Sequence, residues 1–284
     1  NIAAPVLESH QKNAGGNARI AETMFRYFRW PEKFEDFVWL SQIQQGLAIK
    51  TAVQHWRGLR PHCMGTLIWQ LNDTWPVCSW ASLDHGGGWK LLHYMARDFY
   101  RPVAVVPVPG DAGIELRAVN DTGRDERLKV TAFAADMLGN ARQVAEAEIT
   151  VGNSAVTALT VPPEKLGDQD MLTFVWSDGS GQVAGDVFAP RPYKTYDLAA
   201  PNLSHTAEKT GDTWKLTIRT EALAHFVTAE AGCPGRFSLN AFTLFPGHPA
   251  EIAFVPQDPA AKPSFVLRDL YNATTATKEG RLSP

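Results

Sequence analysis

Cysteine is scarce in this 284-residue sequence: Cys63, Cys78 and Cys233 are too few, and odd in number, for a disulfide framework. None stands in a CxxC pair, so the common zinc spacing is missing too. Strong charge is also lacking. Twenty-seven basic residues against 30 acidic ones leave a formal −3, with no field to recruit nucleic acid or an anionic membrane. No apolar run approaches the ~18 residues of a membrane span. The opening "NIAAPVLESHQKN" lacks an initiator Met, a basic n-region and a long apolar h-region, and is expected of a fragment. What remains is ordinary globular composition, 44% hydrophobic and 20% charged, with length for two or three cores. Four Asn-x-Ser/Thr triplets (Asn72, Asn120, Asn202, Asn272) matter only in a glycosylating compartment. As a compartment, sparse cysteine and Ala/Arg-rich composition suggest no more than a bacterial periplasm or cytoplasm.

Tryptophan, in contrast, is abundant. Five of the nine (Trp39, Trp56, Trp69, Trp75, Trp80) fall between residues 39 and 80. Around them the chain reads as helices. "NARIAETMFRYFRW" spaces Ile20, Met24, Phe25 and Phe28 along one face and ends at Pro31. "PEKFEDFVWLSQIQQGLAIKTAVQHWRGL" opens with Pro and acidic residues and carries Phe34, Phe37, Val38, Ile43, Leu47, Ile49 and Val53 at near-helical spacing. "MGTLIWQL" (64–71) is a short apolar run that predicts a strand buried on both faces. "GGWKLLHYMARDFYRP" restarts a helix and stops at Pro102. Helix, buried strand, long loop, helix is the order of an α/β barrel or doubly wound sheet. About one and a half such units are present where a closed barrel needs eight, so the rest is expected upstream or on another chain.

After Pro102 the pattern changes. "GIELRAVNDTG", "RLKVTAFAAD", "EAEITVG", "AVTALTVPP" and "MLTFVWSDGSGQVAGDVFAP" alternate in hydrophobicity between Gly, Asn, Asp and Pro, with a hairpin turn at Asp178–Gly181. This predicts an immunoglobulin-like sandwich. "DTWKLTIRTE", "HFVTAEA", "GRFSLNAFTLFPGHPAEIAFVP" and "PSFVLRDLYNA" predict a second one, with a turn at Pro246-Gly247 and a frayed tail after Ala273. The expected domains are 1–102, 103–198 and 199–284.

Candidate chemistry is thin. "HGGGW" (85–89) resembles an esterase oxyanion loop, but no Gly-x-Ser-x-Gly elbow accompanies it, and a flexible loop is the simpler reading. His62, His85 and His93 with Cys63 and Cys78 fit no recognised ligand spacing, so no metal or other cofactor is expected. Glu35-Asp36 opens a helix, where negative charge is favourable without any function. Asp73 lies just past the expected strand, where barrel active sites lie; it is either functional or a loop-capping Asp. Trp69 alternates with Leu67 and Leu71, and is either a binding floor or core packing.

The stretch "GTLIWQLNDTWPVCSWASLDHGGGWKLLHYMARDFYRPV" resembles the last barrel strand and helix of the β-mannosidases of glycoside hydrolase family 2. "HQKNAGGNARI", "FEDFVWLSQIQQGLAIKTAVQHWR" and "GRFSLNAFTLFPGHPAEIAFVP" fit the same family in the same order. The resemblance implies the end of a (β/α)8 TIM barrel followed by two immunoglobulin-like β-sandwiches. It further implies an enzyme that removes terminal β-D-mannose with retention, using two glutamates about 5–5.5 Å apart. Neither glutamate has a counterpart here, because the family's acid/base and nucleophile strands lie upstream. No catalytic residue is therefore assigned, and this chain alone is expected to be inactive. The implied partners are a β-mannoside and the N-terminal remainder of the enzyme, possibly on a separate chain. By the same resemblance Trp69 lines the subsite for the terminal sugar, Asn72 and Asp73 support the loop, and Trp75 and Trp80 pack it. A non-catalytic carbohydrate-binding or interaction module is the alternative.

Overall fold

The computed structural model describes residues 2–181 and 183–275. Four helices come first: α1 Pro5–Ser9, α2 Gly16–Tyr27, α3 Phe34–Gly58 and α4 Leu91–Phe99. The apolar spacing read from the sequence explains α2, whose Ala21 and Met24 are buried while Glu22 and Arg26 pair on the outer side. Seven strands follow, β1 Val103–Gly110, β2 Gly113–Asn120, β3 Glu126–Ala135, β4 Ala141–Val151, β5 Ala155–Val161, β6 Met171–Ser177 and β7 Val183–Phe188. They form antiparallel sheets in the orders β1-β2-β5 and β4-β3-β6-β7. Leu116, Leu128, Val130, Leu172 and Phe174 make their shared core. Gly113, at φ +128°, closes the first hairpin; a Cβ there would meet the Val161 carbonyl oxygen at 2.3 Å.

A second seven-strand set comprises β8 Ser204–Thr210, β9 Thr213–Arg219, β10 Ala224–Ala231, β11 Gly235–Phe237, β12 Phe242–Leu244, β13 Ala250–Pro256 and β14 Phe265–Arg268. Its sheets run β11-β13-β9-β8 and β12-β10-β14. A short helix, α5 Leu270–Thr274, is capped by the Asp269 carboxylate, which accepts from the Asn272 backbone N–H at 3.0 Å. The tail expected to fray beyond it lies largely outside the described residues.

The chain divides into two compact units, residues 1–47, 69–95 and 192–284 in one, and 48–68 and 96–191 in the other. Residues 1–102, expected as the closing portion of a barrel domain, contribute to both units. The apolar faces show how. Met24, Phe28, Trp39, Leu40 and Ile43 share one core with Leu216, Ile218, Val227 and Phe254 of the second sandwich. The last turns of α3 belong instead with the first sandwich, where Arg117 donates to the Gly58 carbonyl at 2.9 Å.

The stretch 64–71 has no regular secondary structure and joins no sheet among the described residues, against the expectation of a strand buried on both faces. Leu67 is 100% exposed, Trp69 73% and Leu71 60%. Their alternation with half-buried Thr66, Ile68 and Gln70 is that of a strand, but among the described residues only Gln70 and Leu71 make backbone hydrogen bonds to another segment, 82–83.

Candidate active-site rim

Trp69 begins a loop that runs to α4, and the loop is held from within by one carboxylate. Asp73 is 3% exposed. Its Oδ1 accepts from Gln70 Nε2 at 3.3 Å and from Lys12 Nζ at 3.3 Å. Its Oδ2 accepts from the Ser79 hydroxyl, and Lys90 Nζ lies 3.6 Å away. Burial alone would raise the pKa of this carboxyl, but the Ser79 hydroxyl and the two lysines outweigh it and hold it below the ordinary value. Asp73 is therefore an ionised anchor whose oxygens point into the loop.

The remaining loop contacts follow from that anchor. Gln70 Nε2 also donates to the Asn72 carbonyl at 2.9 Å, so Asn72, itself exposed, takes part through its backbone. Residues 70–71 pair with 82–83: Ser82 N–H donates to Gln70 O at 3.1 Å and Leu83 N–H to Leu71 O at 2.7 Å. This fixes the backbone at the two residues that follow Trp69. Its peptide to Gln70 is cis. The segment His10–Lys12 clasps the outer arm, where Cys78 N–H donates to His10 O at 2.8 Å. The His10 ring packs 5.5 Å from Trp75, and Lys12 Nζ sits 5.2 Å from the Trp80 ring centroid.

The three tryptophans thus differ in setting. Trp75 and Trp80, 39% and 43% exposed, are each covered by one residue of the 10–12 segment. Trp69 leaves most of its ring open, on a backbone tied down at its next residue. In "HGGGW" the glycines serve a carboxylate: Asp84 Oδ1 accepts from Gly86 and Gly88 N–H, both at 2.8 Å. A Cβ at residue 88 would meet Asp84 Oδ2 at 2.5 Å, so a turn around Asp84 explains the Gly run. His93 pairs with the Ser82 hydroxyl at 3.1 Å, and burial pushes its pKa down. No group of three metal-binding side chains occurs among the described residues. Asp36 is nearly buried and bound by Arg268, so it does more than favour the start of α3. Lys12, Ser79 and Lys90 were not singled out in the sequence; Lys12 lies 61 positions before its carboxylate, with no local signal.

Comparison with known proteins bears on the same region. The family model Ig_mannosidase, an Ig-fold domain, matches residues 198–273. The chain is 28% identical over 276 residues to the β-mannosidase of Capra hircus, covering 87% of this chain and 31% of that protein. With the β-mannosidase of Mus musculus it is 26% identical over 299 residues, 94% of this chain and 33% of the other. The crystal structure of a β-D-mannosidase from Dictyoglomus thermophilum superposes with a TM-score of 0.82 at 24% identity, covering 93% of this chain and 33% of that one. Over most of its length the chain is thus similar to β-mannosidases. It spans about a third of the length of these β-mannosidase relatives. The exo-chitosanase CsxA of Amycolatopsis orientalis shares the fold at a TM-score of 0.71 and 17% identity, over 88% of this chain and 35% of that one. In this chain the two sandwiches carry the strands, and the Trp69 loop precedes the first of them.

Proposed function

We propose that this chain supplies the closing segment of the catalytic barrel and two C-terminal sandwiches of a retaining exo-β-mannosidase. Trp69 would be the apolar wall for the terminal mannose. The observation that carries this reading is the combination at Trp69: a ring 73% exposed, on a loop anchored by the buried, ionised Asp73. An exposed indole on a mobile loop costs entropy to use; one on a fixed backbone does not. The indole face suits the apolar side of a pyranose ring, and a rigid wall favours the distorted ring of the transition state.

The two carboxylates of such a mechanism lie on the part of the enzyme outside this chain. One protonates the leaving oxygen while the other attacks the sugar carbon; water then releases mannose with retention. This chain's share is positioning and the exclusion of water by the Trp69 ring. The test is an aryl β-mannoside assay of residues 1–284 alone beside the complete enzyme. The chain alone should match the no-enzyme control. Turnover that survives repurification would overturn the reading.

A further inference from the structure

A cleft of about 680 Å³ opens between the start of α3 and strands β10, β11 and β14, all within one compact unit. Its size falls in the range of small-molecule sites, about 300–1,000 Å³. Trp39 lies at its floor, buried, with Nε1 donating to the Thr228 hydroxyl at 2.9 Å. Above the floor stand two α3 side chains, Phe34 at 38% and Val38 at 40% exposure in this chain. Phe34 stacks on Phe37 with one face (6.4 Å, 10° between planes), which fixes the ring. Outside the cleft the aromatic row continues: Trp30, 56% exposed, lies 6.4 Å from Phe37 and stacks on Phe25 at 4.1 Å.

The polar groups at the rim select the ligand. Glu35 lines the cleft with a carboxylate that has no partner among the described residues. Gln42 accepts from Leu91 N–H at 3.0 Å through its carbonyl, which fixes the side chain and leaves its NH₂ as a donor. Arg268 is held planar between Asp36 and Glu230, its Nε donating to Glu230 at 2.7 Å. Carboxylates and guanidinium thus stand side by side, and Arg236 already lies 5.3 Å from the Trp89 ring centroid. Glu230 and Arg268 already pair, so neither charge is open to a ligand. What remains is the Glu35 carboxylate, which repels an anion and accepts from hydroxyls, and the Gln42 amide. Planar acceptors and donors beside a fixed aromatic ring suit vicinal hydroxyls over an apolar ring face.

We propose that this cleft is a second saccharide site, distinct from Trp69, that binds a neutral oligosaccharide with Phe34 as its platform and Glu35 and Gln42 as its hydrogen-bonding partners. It does not depend on the role assigned to Trp69.

Cys233 lines the same cleft and is half-buried, so its alkylation rate reports occupancy without any catalysis. The 284-residue chain is treated with iodoacetamide in rising β-1,4-mannotriose, and peptide mapping follows Cys233 and Cys63 separately. The trisaccharide should slow Cys233 at least about threefold at millimolar concentration, in the weak-binding range, and leave Cys63 unchanged. Phe34→Ser and Glu35→Gln, both at exposed positions, should each weaken that protection, and Trp69→Ala should preserve it. A thermal melt of each variant checks that the fold is kept. No protection at about 50 mM would overturn the site. So would protection lost in Trp69→Ala but kept in Phe34→Ser, or stronger protection by a chitosan or galacturonate oligomer than by the neutral sugar. Failure of the mannosidase reading would appear only in the activity assay and would leave these rates untouched.

Discussion

Lys12 Nζ lies 3.3 Å from Oδ1 of Asp73 and 5.2 Å from the ring centroid of Trp80, so one ammonium group joins the loop's buried anion to its outer aromatic. The pairing is asymmetric. Asp73's side chain is 1% exposed and that of Lys12 29%, so the carboxylate depends on its partners more than they depend on it. Asp73→Asn keeps the volume but removes the charge, and should cost about 2–4 kcal/mol of unfolding free energy. Lys12→Met should cost about 1 kcal/mol or less, because its ammonium is partly solvated and Lys90 remains. Urea unfolding of both single variants and the double variant measures this. A double variant equal to the sum of the singles would show that the pair does not couple.

The lowered pKa of Asp73 adds a pH signature. Its folded value lies below the ordinary 3.8, so the anchor's contribution is complete above that value and is lost as pH falls through the folded pKa. Loop residues 69–82 should therefore exchange amide hydrogens faster at strongly acid pH than sandwich residues do, relative to neutral pH. Asp73→Asn should show that faster exchange already at neutral pH. Equal protection of the loop in both proteins would mean that the carboxylate does not hold it.

Trp69 and Trp75 separate binding from packing. On the proposed role of Trp69 as the wall for the terminal sugar, Trp69→Ala in the complete enzyme should lower kcat/KM by roughly 30- to 1000-fold, or about 2–4 kcal/mol of barrier. Since the ring is 73% exposed in this chain, stability should change by no more than about 0.5 kcal/mol. Trp75, 39% exposed with its ring on His10, should behave in the opposite way. Its Ala variant should lose about 1–3 kcal/mol of stability and keep its activity per folded molecule. A Trp69→Ala enzyme with a lowered Tm and wild-type specific activity would remove the substrate-wall assignment.

Which parts of this were readable beforehand follows from the range of the forces involved. Helices α2, α3 and α4 announce themselves by local periodicity, and the Asp178–Gly181 hairpin by its turn residues. Strand β1 escaped because Pro107 and Pro109 argue against a strand; the order β1-β2-β5 shows it at an edge, where proline is tolerated. Strand β8, exposed along its whole length, has no apolar alternation to detect. The run 64–71 was read as buried because apolarity is visible in a sequence, whereas the partner that buries it is not. For the same reason Asp73 could be placed on a loop, while its lysines could only be found in three dimensions.

His225 provides the last test. It is 2% exposed, and neither ring nitrogen has a partner among the described residues. It sits where β10 slips register against β12, next to Phe226 at φ +56°. Tyr193 covers it edge-on at 5.6 Å. Burial lowers its pKa from 6.5 to about 4. Between those values the unfolded chain binds a proton that the folded chain refuses, so stability rises with pH across that window. The contribution of neutral His225 is complete above about pH 6.5 and declines as pH falls towards 4; below that both states are protonated and the loss stops. At about 1.4 kcal/mol per pKa unit the full loss is roughly 3 kcal/mol. Other groups titrate in the same range, so the comparison must be with a variant that cannot. His225→Phe should show a shallower fall in unfolding free energy between about pH 6.5 and 4 than the parent, the two curves converging or crossing at the acid end. The Phe substitution will carry its own packing cost, but that cost shifts the curve without changing its slope. Parallel curves across the window would mean that His225 titrates alike in the folded and unfolded chains, and that burial does not exclude its proton.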